Sequence, residues 1–424
     1  MFNLHLTPEQ QAFRDTVRDF VEREIKPVVL HPDYLQRFDK PLPLALIDQA
    51  SQMGLRGLAL SEAAGGAGAD NLTLCIVAEE LAAGDAGIAV TLAETASLAR
   101  LLFDHMMCEA QRSRYVPAFM ADERFHLAFA AHTPDAELGW RYHRDHRELN
   151  EMPVCRLTAA RQANGDWILN GTTGFVQNAP IATLIAVQAA VDGDVKQQVC
   201  LLLPAGSAGM TVRESEASAE VVKWYHGSGG ELTFKDCRVP AADVLGSGGD
   251  MALLAIAAGR GSPHRQAINI GIARAASEAA VAYAKIRIQG ARFIIQHQAI
   301  GNILADAAIK IEVARNTVWH AAWASDHPDA VVDRSVSALP LQTVAKVFTS
   351  EAMYTATEAA AECFGAMGVM LDMPLAKYVH DARIFLHSGE SNSVAKLRVA
   401  EAVAGFERGT GVQHATTTRP SQAV

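Results

Sequence analysis

Ionisable side chains that could carry chemistry are scattered through this sequence, and a few of them cluster. His264 and His387 carry imidazoles, which gain or lose a proton near neutral pH and could act there as acid or base. Arg260, His264 and Arg265 fall close together and could hold an acidic substrate, although Arg and His at such places also cap or decorate helices. The segment 135-DAELGWRYHRDHRELNEMP-153 is long and rich in His and Arg; a loop of that length inside a compact domain is often functional or mobile. Gly65, Gly66 and Gly68 lie in 61-SEAAGGAGAD-70. A phosphate cradle would need a preceding strand at nucleotide-binding spacing, and none precedes them, so a plain turn is the simpler reading. The cysteines Cys75, Cys108, Cys155, Cys200, Cys237 and Cys363 are far apart, with no Cys-x-x-Cys pair. They read as mostly buried thiols in a reducing compartment, with no structural zinc site.

The elements that must position these groups change character twice along the chain. Thr7-Pro8-Glu9-Gln10 combines a capping Thr, Pro at the first helical position and Gln three residues after the cap. Phe13, Val17, Phe20, Val21 and Ile25 then recur at helical spacing, and Pro27 is expected to end that helix. A second helix is expected over 43–54 and further Ala/Leu-rich helices to about residue 120. From Phe125 the pattern becomes short β segments: 125–130, 166–171, 182–191, 198–204, about 211–213, and 231–239. Helices return over 265–288, 298–325 and 340–365, and a final one near 392–406. The Ala and Gly of 265–288 would let neighbouring helices approach closely. The expected class is α+β: an N-terminal α-helical domain at 1–124, a central β-barrel or sandwich at 125–241, a C-terminal four-helix bundle at 242–407, and a flexible tail at 408–424. Without regular strand–helix alternation, a doubly wound nucleotide fold is not expected.

With 424 residues, 50% apolar and 20% charged, the chain can bury a large core. Its net charge of −10 argues against non-specific binding to nucleic acid or anionic membrane. No basic region followed by an apolar run opens the sequence, and apolar stretches such as 251-MALLAIAAG-259 are too short to span a bilayer. A cytoplasmic protein without membrane insertion is expected.

Five ordered stretches resemble the acyl-CoA dehydrogenase superfamily over about residues 5–406. They are 57-GLALSEAAGGAG-68, 165-GDWILNGTTGFVQNA-179, 234-FKDCRVPAADVLG-246, 283-YAKIRIQGARFIIQHQAIGNILADAA-308 and 363-CFGAMGVMLDMPLAKYVHDARIF-385. The resemblance implies FAD between the domains, an acyl-CoA substrate, a homodimer or homotetramer (or a related unlike subunit), and an electron-transfer flavoprotein as a possible electron acceptor. It implies flavin contacts at Phe175 and Gln177, which replace the family's Trp and Thr. Arg287 and Gln298 would hold the FAD of a neighbouring subunit. Glu362 and Gly365 would lie on its phosphate side, and Ser391 falls on the Thr of the family's Glu-Gly-Thr. His132 and Thr133 belong to 132-HTPDAELG-139, which replaces the family's T-E-P loop, and the basic run 140-WRYHRDHR-147 could meet CoA phosphates.

The family's catalytic Glu falls on Gly389, and its neighbouring Gly falls on Glu390, in 381-DARIFLHSGESNSVAK-396. The second placement of the base known in the family falls on Gly261 or Ser262, neither a carboxylate. Glu390, displaced by one residue, is the expected base; His387, His264 or no base at all are the alternatives. The implied reaction is an atypical α,β-dehydrogenation of an acyl-CoA thioester. A β-elimination such as desulfination, or a catalytically silent subunit, would also fit the altered motif.

Overall fold

The computed structural model describes residues 5–37, 39–130, 157–215, 223–246, 262–327, 336, 339–389 and 391–405. The chain opens with α1 (Pro8–Phe20). Its capping box forms as the sequence predicts: Gln10 N donates to Thr7 Oγ1 at 3.1 Å, and Thr7 N donates to Gln10 Oε1 at 3.0 Å. Pro27 does not end the helix. Residues Val21–Ile25 wind as a π-helix, and a short α segment, Lys26–Val29, carries Pro27 in its first turn. The wider π turn resets the hydrogen-bond register, so the missing Pro27 N–H falls where a helix start needs no donor.

After a short helix at Pro32–Leu35, four longer helices follow in the N-terminal region: α2 (Leu44–Gln52), α3 (Asn71–Gly84), α4 (Ala86–Ala99) and α5 (Glu109–Ala121). Asp70 caps α3 through Thr73 N at 2.7 Å, and Asp85 caps α4 through Ile88 N at 3.0 Å. Helix α4 continues as a π-helix to Met106. The 21-residue stretch Ala86–Met106, which contains an 18-residue window of mean hydropathy 1.4, is by length and composition long and apolar enough to cross a membrane. This corrects the expectation that no apolar stretch reaches that length. Within the fold 72% of that window is buried, as for a core helix.

The strands are β1 (His126–Ala130), β2 (Leu157–Arg161), β3 (Trp167–Gln177), β4 (Ala182–Val191), β5 (Asp194–Pro204), β6 (Met210–Glu214), β7 (Gly229–Val239) and β8 (Val244–Leu245). They form one mixed sheet in the order β6-β7-β3-β2-β4-β5-β8, with β1 pairing β4 in parallel. Among the described residues the path ends at β6 and β8, so the eight strands do not form a closed barrel and the barrel alternative is corrected. The sheet also runs past the expected boundary at 241, because β8 pairs with β5 through Cys200–Leu245 and Leu201–Val244.

Five helices follow: α6 (Pro263–Ile286), α7 (Gln298–Asp326), α8 (Leu341–Glu362), α9 (Pro374–His387) and α10 (Asn392–Val403). The first and last helical regions share one hydrophobic core, with Ile25, Ile47, Cys75 and Ile88 joined to Ile268, Ile272, Val318 and Met353. Helices α3 and α6 approach backbone to backbone at Gly271. A Cβ there would lie 2.2 Å from Glu79 O, so the small residues of α6 do permit close approach. Buried carboxylates fasten the same junction. Glu80 meets Arg18 at 2.7 Å and Arg274 at 2.7 Å, while Glu79 meets Arg315 at 2.7 Å.

Candidate active site

Strand β3 brings Phe175 and Gln177 to one face of the sheet, because side chains two apart on a strand point the same way. The Phe175 ring, half-buried, lies 4.8 Å from the Trp224 ring and 4.8 Å from the Tyr225 ring. Trp224 is 59% exposed, so the cluster has an open aromatic edge. Gln177 Nε2 donates to His226 O at 3.0 Å and to Ser228 O at 2.7 Å. Both amide hydrogens are thus committed to backbone carbonyls, which leaves Oε1 as the group Gln177 can offer outward. Asn178, fully buried, fastens the end of β3 to α4 and β1 through Thr91 O at 3.0 Å and Leu127 O at 3.4 Å.

Helix α9 carries the altered motif. Its buried Lys377 lies 2.7 Å from Asp381 and 3.1 Å from Asp85 at the start of α4. Burial would disfavour the Lys377 ammonium, but Asp381 and Asp85 outweigh it and push its pKa up. Burial would likewise raise the Asp381 carboxyl, but the Lys377 charge and His226 hold it well below the usual carboxylate range. His226 Nε2 is 3.5 Å from Asp381, and the His226 ring stacks on Phe385 at 4.7 Å. One ionic cluster therefore ties α9 to α4 and to the 223–228 segment against which Gln177 is braced. Sequence reasoning quoted Lys377 and Asp381 inside a motif without seeing this cluster, and it missed Asp85 and His226. Nothing in their spacing marks four residues from three segments as neighbours.

Past the end of α9 the chain turns through Gly389, exposed and left-handed at φ +68°; among the described residues, its chain neighbours apart, no atom lies within 4 Å of where a Cβ would sit. Ser391 caps α10, its Oγ accepting from Val394 N at 3.4 Å. Glu390, the expected base, lies outside the described residues, as do His132, Thr133 and the 135–153 segment. His387 is exposed at the last position of α9.

His264 is buried in the first turn of α6. Its Nε2 is 3.1 Å from Ser97 Oγ. Burial, with Arg265 and Arg100 nearby, pushes its pKa down to about 3. That corrects the idea of His264 as a base poised near neutrality, since its imidazole stays neutral and weakly basic. Arg265 pairs with Glu94, so it is not a free anchor for an acidic substrate.

The remaining predicted contacts fall on two other ends of the bundle. Arg287 closes α6 and Gln298 opens α7, both exposed, on either side of the small hairpin formed by Ile288–Gln289 and Arg292–Phe293. Glu362 is the exposed last residue of α8, and Gly365 follows in a 3-10 turn. The structure thus sets Phe175 and Gln177 on one face of β3, and separately places Arg287 and Gln298 on either side of one hairpin. Among the described residues no group of three His, Cys, Asp or Glu side chains converges as a metal site.

Comparison with known proteins agrees with this architecture. Residues 7–123 match the profile for the acyl-CoA dehydrogenase N-terminal domain, and residues 246–404 match that for the acyl-CoA dehydrogenase C-terminal domain. The chain is 29% identical over 408 residues to an acyl-CoA dehydrogenase of Bacillus subtilis (strain 168), covering 95% of this chain and 100% of that one. The solved structure of butyryl-CoA dehydrogenase from Megasphaera elsdenii superposes with a TM-score of 0.79 at 27% identity, covering 95% of this chain and all of that one, at 100%. A chain from the structure described as the electron transferring flavoprotein of Acidaminococcus fermentans gives a TM-score of 0.79 at 28% identity, covering 95% of this chain and 99% of that chain. Two matched domain profiles, a full-length fold and the α9 motif agree, and the chain belongs to the acyl-CoA dehydrogenase superfamily.

Proposed function

We propose that this protein is an FAD-dependent oxidoreductase that removes hydrogen from the α and β carbons of an acyl-CoA thioester, with a displaced base. The cofactor follows from the family, and the donor set fits it. Phe175 and Trp224 offer an aromatic edge of the kind a flat ring packs against. Arg287 and Gln298 offer exposed donors at one end of the bundle, suited to phosphate and ribityl oxygens. Ser391 and the N-terminus of α10 add donors beside the turn that carries Gly389. Glu362 would repel phosphates and must turn away or find a cation. When bound, FAD supplies a hydride acceptor.

The chain's own part is to bind the thioester, exclude water and take the α proton. Gly389 cannot take it, having no side chain. Glu390 is the adjacent carboxylate, and a carboxylate suffices once hydrogen bonds polarise the thioester carbonyl. The observation that carries this reading is the state of Gly389: the turn is present, open to solvent and without a base at the aligned position. An electron-transfer flavoprotein would fit as oxidant.

The test is anaerobic. Purified yellow protein should lose its flavin absorbance on addition of a short acyl-CoA, and Glu390→Gln should slow that reduction by about 100-fold or more, the usual contribution of a positioned base. Undiminished reduction in Glu390→Gln removes Glu390 as the base. The same open Gly389 favours a second reading, a β-elimination or a catalytically silent subunit. A colourless protein that takes up no added FAD would support the silent subunit, and a yellow protein that converts acyl-CoA without bleaching would support elimination.

A further inference from the structure

A cavity of about 210 Å³ lies against the face of α9 that carries Lys377, Asp381 and Ile384. None of the residues expected to hold FAD lines it. Its other walls are the chain after the short helix Pro32–Leu35, the start of α4, and the 223–227 segment. Three ammonium groups face it, those of Lys40, Lys223 and Lys377, against two carboxylates, Asp85 and Asp381. Both carboxylates are already engaged by Lys377, at 3.1 and 2.7 Å. That leaves Lys40 with backbone carbonyls, and Lys223 with one backbone carbonyl and the Tyr225 ring, 4.7 Å from its ammonium. Lys40 Nζ donates to Leu35 O at 3.3 Å and to Arg37 O at 2.8 Å, and Lys223 Nζ donates to Gly227 O at 2.5 Å. Neither forms an ion pair with a described carboxylate.

A half-buried ammonium without a counterion is costly, and burial does depress the pKa of both lysines. His226, 8% exposed, also lines the cavity, its Nε2 directed at Asp381 at 3.5 Å. Leu42, Leu371 and Ile384 supply apolar wall. A bare inorganic ion would leave that wall wet, whereas a small molecule with one anionic head and a short apolar body would satisfy both halves.

We infer that this cavity binds a small organic carboxylate, its head paired with Lys40 and Lys223 and its short apolar body against Leu42, Leu371 and Ile384. The inference does not depend on the flavin reading. It would place a regulatory or second-ligand site beside the helix that ends at Gly389.

Butyrate is the probe, titrated into the purified full-length protein at constant ionic strength and followed by calorimetry and by thermal unfolding. The expected result is saturable binding at one site with a rise in the unfolding temperature. Lys40→Gln and Lys223→Gln should each weaken binding about tenfold or more, because each removes a charge from the pair. Leu371→Trp, at the exposed rim, should weaken it by narrowing the space without touching the ionic cluster. Absence of saturable binding overturns the inference. So does an affinity unchanged in both lysine variants and in Leu371→Trp, which would put butyrate elsewhere. Inorganic phosphate competing as well as butyrate would overturn the organic-carboxylate assignment.

Discussion

A side chain placed at position 389 would have to adopt the left-handed backbone that Gly389 adopts at φ +68°, at a cost of about 1–2 kcal/mol. Among the described residues no atom beyond its chain neighbours lies within 4 Å of that Cβ, so the backbone and not crowding would oppose a side chain there. His264 and His126 pose a related question of charge at single sites. Burial keeps both neutral, His264 with a pKa of about 3 and His126 with a pKa of about 4, the latter also disfavoured by Arg56. In the unfolded chain both ionise near 6.5. Their folded values are depressed, so the unfolded state binds the extra protons. The stability they contribute is complete above pH 6.5 and is lost as pH falls toward 4 and then 3. Chemical denaturation at pH 7 and pH 5 should therefore show a loss of roughly 2–4 kcal/mol from the pair. His264→Gln should reduce that loss. A midpoint that does not move between the two pH values would mean that these imidazoles titrate normally in the fold.

At the scale of elements, the ionic cluster on α9 holds the altered motif in place. Lys377 lies between Asp85, which caps α4, and Asp381, one turn further along α9. Lys377→Met would leave two buried carboxylates near each other without the ammonium that pairs with both. The expected loss is about 3–5 kcal/mol, read as a lowered denaturation midpoint, with partial recovery in Lys377→Met combined with Asp85→Asn. A loss below about 1 kcal/mol would show that water already solvates the cluster. Most of the long helices were legible in the sequence, although no helix was expected over α9. Thr7-Pro8-Glu9-Gln10 caps α1 by purely local bonds, and the expected span 298–325 differs from α7 by one residue at its end. Period and capping are local, so they survive reading one residue at a time. Pro27 misled because a π turn one step earlier absorbs it, and that turn has no residue signature. The barrel alternative misled because strand order is set by tertiary pairing, and β1 joins β4 in parallel across the intervening strands. The neighbourhood of Phe175 and Gln177 was legible because both lie on one face of β3. The site was illegible where the fold gathers Asp85, His226 and Lys377 from three segments.

At the scale of the molecule, the two helical regions form one core, so the exposed remainder of the bundle stands out. Ile286 is 72% exposed, Ile288 56% and Phe293 43%, all at the end that carries Arg287 and Gln298. Val369 is 77% exposed beside the Glu362–Gly365 turn. Isolated apolar residues on a surface are ordinary, but several around one hairpin, mixed with unpaired donors, suit a face covered by another copy. A closed assembly would bury that hairpin and present Arg287 and Gln298 to the neighbour's cofactor, as the family resemblance implies. Sedimentation of the purified protein should therefore give a dimer or tetramer. Ile288→Asp with Phe293→Asp should shift it toward monomer, because two buried carboxylates without partners would cost several kcal/mol at the contact. Flavin should be lost along with the assembly, read as the fraction of FAD recovered with protein after gel filtration. Dissociation with full flavin retention would confine the cofactor to one subunit and remove Arg287 and Gln298 from its site. A double variant that still assembles would show that the hairpin lies outside the interface.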